Sequence, residues 1–196
     1  MLKIDQLSKH FKSKKVLHNI SLHVGQGEIV SLLGRSGSGK STLLNLIAGF
    51  ERPDEGEISL EGRVQSSQST FVDPSERSIG FVFQNYALFP HMSVSDNIAF
   101  GISHLSRSER HARVERLLAL VNLEGYGSKY PDTLSGGEQQ RVALARVLAI
   151  EPSVILLDEP FSNIDTVLKT SIRNDLIAIL RSSGATAVFV THDPHE

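Results

Sequence analysis

A chain of 196 residues, with 20 Lys+Arg against 22 Asp+Glu and no cysteine, can bury a real core and fits one domain, or one domain with a small subdomain. Hydrophobic residues at 40 % and charged residues at 21 % argue against disorder. The missing cysteines exclude disulfides, thiolate metal sites and a cysteine nucleophile, and a net charge of −2 exerts no global pull on nucleic acid or an anionic membrane.

The apolar runs, such as 154–157 and 187–190, are far shorter than the roughly 18–20 residues that span a bilayer. Met1-Leu2-Lys3-Ile4-Asp5 opens without a signal-like apolar stretch. A soluble protein of a reducing, cytoplasmic compartment is expected.

Segments 2–7, 16–24 and 28–33 are rich in Val, Ile and Leu and are divided by Gly25 and Gly27, which predicts strands. Ile29-Val30-Ser31-Leu32-Leu33 is nearly continuous in apolar character, the pattern of a strand buried on both faces. The pattern breaks at 34–39. Leu43, Leu44, Leu46 and Ile47 then predict a helix over 42–48 that stops at Gly49, and strands follow at 57–60 and 79–83. Segments 95–102 and 107–121 read as helices, the second with Val114, Leu117, Leu118 and Val121 at helical spacing. Ser106 and Glu109 form a capping box at its start, and Ser135-Gly136-Gly137-Glu138 opens a further helix, through about Ala149, in the same way. Strand texture returns at 154–157. A helix over 166–180 carries Leu168, Ile172, Leu176 and Leu180 at i, i+4 steps, and 186–190 is a last strand. Strands separated by helices imply a parallel α/β sheet, and the all-helical stretch 85–151 is an inserted subdomain. There is no internal repeat and no low-complexity tract.

Gly34-Arg35-Ser36-Gly37-Ser38-Gly39-Lys40-Ser41 matches the phosphate-binding pattern G-x-x-x-x-G-K-[ST], with Thr42 after it, between a strand and a helix. Glycines let backbone N–H groups converge on phosphate oxygens, and the following helix adds its positive end. Lys40 supplies a flexible point charge for the β- and γ-phosphates, and Ser41 offers a hydroxyl to Mg²⁺. Val154-Ile155-Leu156-Leu157-Asp158-Glu159 is an apolar strand ending in two carboxylates. Asp158 can reach the Mg²⁺ shell, while Glu159, pointing to the other face, can hold and deprotonate an attacking water. A solvated acidic strand end is the competing reading.

Leu134-Ser135-Gly136-Gly137-Glu138-Gln139-Gln140-Arg141 resembles the signature motif of ATP-binding cassette (ABC) ATPases. The family's other marks follow in order: Phe11 at its aromatic A-loop position, Gln84 as its Q-loop glutamine, Ser162-Asn163-Ile164-Asp165 as its D-loop and Thr191-His192-Asp193 as its switch histidine. The resemblance implies a P-loop NTPase (RecA-like) α/β core with an N-terminal antiparallel β subdomain and an inserted α-helical subdomain. It assigns 1–84 and 152–196 to the nucleotide-binding core and 85–151 to the helical signature subdomain. It implies ATP and Mg²⁺ as cofactors, with Phe11 stacking on adenine and Gly34, Arg35, Ser36, Gly37, Ser38, Gly39, Lys40, Ser41 and Thr42 around the phosphates. Ser41, Gln84 and Asp158 then attend the metal, while Lys40, Gln84, Glu159 and His192 serve hydrolysis. Ser135, Gly136 and Gly137 close on the γ-phosphate held by a second copy, so that a homodimer sandwiches two ATP. Helix capping alone also accounts for Ser135 and Glu138, and Phe11 could equally belong to the core. Glu138 stands where the family more often has Gln.

Gln84-Asn85-Tyr86-Ala87-Leu88-Phe89-Pro90-His91-Met92-Ser93-Val94 resembles the segment after the Q-loop in bacterial importer ATPases. There Tyr86, Leu88 and Phe89 help receive a helix of a membrane permease; simple packing under the loop is the alternative. Gly49-Phe50-Glu51-Arg52-Pro53, Val72-Asp73-Pro74-Ser75-Glu76-Arg77 and Asp158-Glu159-Pro160-Phe161-Ser162-Asn163 look most like ferric-iron importer ATPases, although polyamine, sulfate, molybdate and sugar importers share much of this. The expectation is an ATP-hydrolysing subunit, peripheral on the cytoplasmic face of the inner or plasma membrane. Its partners would be permease subunits and, indirectly, a periplasmic or extracellular binding protein. A soluble ABC ATPase of nucleic-acid repair or translation fits less well, since the stretch from Gln84 to Ser135 is too short for a coiled-coil insertion and the charge is neutral. A non-hydrolysing assembly module conflicts with Glu159 and His192. The family pattern continues past its switch histidine, whereas only 193–196 follow His192, so a truncated form is expected. His195 lies three residues after His192 without further ligands. His10, His18, His23, His91, His104 and His111 form no cluster, and Lys9, Lys12, Lys14 and Lys15 read as a solvated face.

Overall fold

The structure, a computed structural model, describes residues 1–12, 14–162 and 166–193, the side chains of 166–168 excepted. Two compact units are formed: Met1–Phe81, Ser153–Asp158 and Ala185–Glu196 make the first, and Val82–Pro152 and Glu159–Gly184 the second. The sequence reading grouped 152–196 as a whole with the first segment, whereas 159–184 clusters here with the helices.

In the first unit, β1 (Leu2–Phe11), β2 (Lys14–Val24), β4 (Glu55–Leu60) and β5 (Arg63–Ser66) form an antiparallel sheet in the order β2-β1-β4-β5. β1 is longer than its apolar pattern predicts because it continues past an irregularity at Gln6 (φ 50°), where the pairing register shifts. A second sheet takes β3 (Ile29–Leu33), β8 (Ala187–Thr191), β7 (Val154–Asp158) and β6 (Ile79–Val82) in that order, with β3, β8 and β7 parallel. Helix α1 (Lys40–Ala48) turns Leu43, Leu44, Leu46 and Ile47 into one core with Leu2, Ile4 and Leu7 of the first sheet and Val154, Leu156, Val188 and Val190 of the second. This common core fixes α1 against the strand ends from which the phosphate loop departs.

The expected burial of β3 on both faces is not found. β3 is the edge strand of its sheet among the described residues, and Leu33 is 57 % exposed. β7 and β8 are the buried pair, fully so from Val154 to Leu157 and along all of β8.

The second unit holds α2 (Val94–Ala99), α3 (Arg107–Leu120), α4 (Gly136–Ala149) and α5 (Thr166–Ser183). α2 and α3 pack on α4, burying Val94, Ile98, Val114, Leu117, Leu118, Val142 and Leu144. The close approach of α5 rests on Gly137, where a Cβ would meet Ile172 Cδ1 at 2.8 Å, and on an ion pair of Arg141 with Asp175 at 3.6 Å. Both predicted capping boxes are formed, Ser106 with Glu109 and Ser135 with Glu138. The sequence missed β5 and single turns of 3-10 helix at Pro74–Glu76 and Pro131–Thr133.

Candidate nucleotide site

Three parallel strands of the first unit end together. β3 runs into the glycine-rich loop, β7 ends at Asp158 and β8 ends at Thr191, one residue before His192. The carboxyl edge of a parallel sheet is where α/β proteins bind ligands. Gly34 N–H donates to the Thr191 carbonyl at 3.2 Å, so the start of the loop is tied to the segment that carries His192.

The loop itself is exposed and closes on Lys40. The ammonium donates to the Gly34 carbonyl at 2.6 Å and the Arg35 carbonyl at 3.0 Å, which sets the charge inside the ring that Gly34, Arg35, Ser36, Gly37, Ser38 and Gly39 describe. Gly39 is the N-cap of α1 with φ 92°, a left-handed conformation, and a Cβ there would lie 2.8 Å from Leu17 and 3.0 Å from the Val16 carbonyl. Only glycine fits. The N–H groups of Lys40, Ser41 and Thr42 belong to the first turn of α1, where helix geometry supplies no acceptor four residues back.

Ser41 Oγ donates to Asp158 Oδ1 at 2.9 Å. A hydroxyl and a carboxylate 117 residues apart in sequence are thus brought to bonding distance at the strand edge. Hard oxygen donors of this kind suit Mg²⁺, which keeps most of its shell for water and phosphate and needs few protein ligands. Among the described residues no group of three or more His, Cys, Asp or Glu could hold a metal ion. Phe11, which the sequence left between adenine stacking and the core, is not in the core: the residue is 42 % exposed, with Lys9 Nζ 5.2 Å from its ring centre.

In the second unit, Glu159 follows β7 with φ 43°, an uncommon conformation for a residue with a side chain. Its carbonyl accepts from Ser162 N–H at 3.1 Å and Ser162 Oγ at 3.0 Å, which fixes that turn. Gln84 Nε2 donates to Ser162 Oγ at 3.1 Å, so two expected site residues meet through a third. The remaining D-loop positions Asn163, Ile164 and Asp165, and His195, lie outside the described residues.

Ser135, at the start of α4, is bound to its own helix. Its N–H and its Oγ both donate to Glu138 Oε2, at 2.7 and 2.8 Å. These bonds, with Tyr126 donating as well and Lys129 nearby, hold the Glu138 carboxyl below its ordinary range. Gly136 and Gly137 follow as the first residues of α4.

Of the aromatics expected to face a partner, Tyr86 is only 4 % exposed and packs beneath its loop, so it cannot be part of a surface. Phe89 is half-buried against Phe100, with ring centroids 4.5 Å apart, and Phe100 is 54 % exposed. Two buried polar residues that shape the units, Arg77 and Asn97, were not foreseen, because arginine and asparagine usually face water.

The family model described as "ABC transporter" matches residues 17–162. A probable sulfate/thiosulfate import ATP-binding protein of Chlorella vulgaris is 49 % identical over 98 % of this chain and 81 % of its own length. The sulfate/thiosulfate import ATP-binding protein of Gloeobacter violaceus is 51 % identical over 98 % of this chain and 56 % of its own. The Fe(3+) ions import ATP-binding protein of Escherichia coli O157:H7 is 45 % identical, over 100 % and 56 %. The chain thus spans little more than half the length of several relatives. Among solved structures, a dimeric ATP-binding cassette in a post-hydrolysis state, bound to ADP and Pi, superposes with a TM-score of 0.81 at 34 % identity, covering 100 % of this chain and 89 % of that one.

These matches correct the expected likeness to ferric-iron importers: sulfate/thiosulfate proteins are the more similar relatives. The segments that suggested iron include Gly49 and Arg77, which pack on one another inside the first unit, and the Asp158-Glu159 strand end. They build an ATPase framework and carry no information about cargo.

Proposed function

Since this chain belongs to the ABC transporter family, with its P-loop fold, we propose that it is the ATP-hydrolysing subunit of an importer, with sulfate or thiosulfate as the transported anion. The observation that carries the ATPase reading is the junction of Ser41 and Asp158 beside the loop that encloses Lys40. The likeness to sulfate/thiosulfate import proteins supports the cargo.

ATP is the substrate. Its phosphates sit in the ring of Gly34, Arg35, Ser36, Gly37, Ser38 and Gly39, on the N–H groups of Lys40, Ser41 and Thr42. Lys40 exchanges its bonds to the loop carbonyls for the β- and γ-oxygens and offsets charge as the transferred phosphoryl group departs. Ser41 and Asp158, with Gln84 as the family resemblance assigns it, would hold Mg²⁺, which would supply Lewis-acid neutralisation of the phosphate oxygens. Phe11, exposed at the end of β1, offers a face for adenine. Glu159 accepts the proton of the attacking water, and His192 donates to the γ-phosphate and responds to its loss.

The active form is a homodimer in which Ser135, Gly136 and Gly137 of one copy close on ATP held by the other. Closure moves the helical unit, and Phe89 and Phe100 receive an apolar element of a permease, itself served by a binding protein outside the membrane. No described helix is long and apolar enough to cross a membrane; the subunit sits peripherally on the cytoplasmic face, against its permease. The test is Mg²⁺-dependent ATP turnover by the protein copurified from its native membrane. Wild type should hydrolyse ATP and bring integral-membrane companions, and transport by the assembly should follow sulfate rather than ferric iron. Turnover unaffected by Glu159→Gln would overturn the catalytic assignment.

A further inference from the structure

The chain is least ordinary just after Gln84. Tyr86 (φ 61°) and Ala87 (φ 46°) are successive residues in the left-handed region, where neither has glycine's freedom. Such backbone persists only where the surroundings determine it, and it concentrates in segments that switch or clamp.

One guanidinium takes both carbonyls of this kink. Arg146 Nη2 donates to the Tyr86 carbonyl at 2.9 Å and Nη1 to the Ala87 carbonyl at 2.8 Å. The same group lies 5.4 Å from the centre of the Phe89 ring. Two parallel N–H donors in a planar fork match two adjacent carbonyls, which a lysine ammonium cannot do. The far side of the loop is held by Asn97, fully buried, which donates to the carbonyls of Phe89, Met92 and Ser93 and accepts from Phe89 N–H at 2.9 Å. Between these clamps Phe89 has a fixed attitude against exposed Phe100.

Asn97 stands on α2, but Arg146 stands in the last turn of α4, the helix that begins at Ser135. α4 has 14 residues and is about 20 Å long by ordinary helix rise. An uninterrupted helix of that length, buried along Val142, Ala143, Leu144 and Ala145, moves as a rod. A cation in a last turn would ordinarily serve its own helix's carbonyls; this one reaches across to a strained loop.

We propose that Arg146 is a positioning residue that ties the aromatic pair Phe89 and Phe100 to the signature helix, so that a shift at the Ser135 end re-aims the surface offered to an apolar partner. This deepens the proposed function and rests on its reading of Ser135 as the γ-phosphate end. Tyr86 adds a detail in keeping: its hydroxyl is buried without a hydrogen-bond partner, as expected where the backbone bonds, and not the side chain, hold the residue.

The experiment is amide hydrogen exchange on the full chain, wild type against Arg146→Lys and Arg146→Met, with and without MgATP, beside nucleotide affinity measured with a fluorescent ATP analogue. In wild type, MgATP should change exchange across 85–93. In Arg146→Lys the fork is lost and that response should fall about 5-fold or more, with affinity kept within about 2-fold and exchange over 114–123 unchanged. Should Arg146→Met not fold, Arg146→Lys, which keeps stem and charge, carries the test. A wild-type response in Arg146→Lys overturns the proposal. So does faster exchange spread over 94–149, which would mark a structural brace. A wild type that binds MgATP without any response at 85–93 also overturns it. A wild type that binds no MgATP overturns the ATPase reading itself, a result distinct from the other three.

Discussion

A Cβ on Gly49 would lie 2.6 Å from the guanidinium carbon of Arg77, so the end of α1 is shaped around a buried arginine. Arg77, 5 % exposed, donates to the carbonyls of Leu46 and Ile47 in the last turn of α1, to those of Gln65 and Val72, and to Ser66 Oγ. Burial pushes its pKa down, yet every donor direction meets an oxygen and the charge stays. Gly49 also has φ 86°, so Gly49→Ala adds a strained backbone to the clash. A loss of about 2–4 kcal/mol in unfolding free energy is expected, measured by urea titration. Arg77→Lys should cost a similar amount by leaving several carbonyls unpaired.

Ser41 and Asp158 make a second paired prediction. Their bond at 2.9 Å places hydroxyl and carboxylate as neighbours. Asp158→Asn keeps the size and a hydrogen bond but removes the anion that a divalent cation needs. Its ATP turnover is expected to fall about 10²-fold or more, with the Mg²⁺ concentration for half-maximal rate rising. Steady-state kinetics across a Mg²⁺ series check this, and an unshifted Mg²⁺ dependence would remove Asp158 from the metal site.

The nucleotide loop was legible because its chemistry is local. Identity and spacing from Gly34 to Ser41 define the backbone path, and the helix after it announces itself by four apolar residues. Both Ser-x-x-Glu capping boxes were legible for the same reason, since partner and cap stand three residues apart. What escaped depends on contacts distant in sequence. Arg63-Val64-Gln65-Ser66 has no strand pattern and becomes one by pairing with β4. Arg77 and Arg146 look like solvated charges until the fold brings carbonyls from elsewhere to meet them. Cargo leaves no mark for a related reason: Gly49 and Arg77 pack on one another inside the first unit.

Glu138 sets a pH dependence of stability. Bonds from Ser135 N–H and Oγ hold its carboxyl below the ordinary value of 4.5 in the folded chain. A depressed carboxylate contributes stability that is complete above its unfolded pKa and is lost as pH falls through the folded one. The contribution is therefore whole above about pH 4.5 and fades as the medium becomes more acid. Glu138→Gln removes this titration while keeping an acceptor at the N3 position of α4. Glu109 and Asp54 shift in the same direction and titrate in both proteins, so they cancel in the difference. Urea midpoints at a series of pH values should converge between wild type and Glu138→Gln as pH falls below about 4.5. A constant separation would mean that Ser135 does not hold the carboxylate in solution.

Asn97 gives the sharpest separation of packing from polar satisfaction. It is fully buried on α2, and its amide takes part in four bonds to the backbone of Phe89, Met92 and Ser93. Asn97→Leu fits the volume but takes the side-chain partner from the Met92 carbonyl and Phe89 N–H, while the Phe89 and Ser93 carbonyls keep the backbone N–H groups of Met92 and Asn97, at about 1–3 kcal/mol for each group that fails. Asn97→Asp keeps the acceptor for Phe89 N–H but sets a carboxylate against three carbonyls. Both variants should be destabilised, and Asn97→Asp should regain stability at acid pH, where the protonated carboxyl can donate once more. The opposing trend, with Asn97→Leu flat across the same range, distinguishes a missing donor from misfit volume. Thermal unfolding of both proteins between about pH 4 and pH 7 measures it. If Asn97→Asp follows the pH profile of Asn97→Leu, the carbonyls do not depend on the amide donor and the clamp on Phe89 is weaker than its geometry indicates.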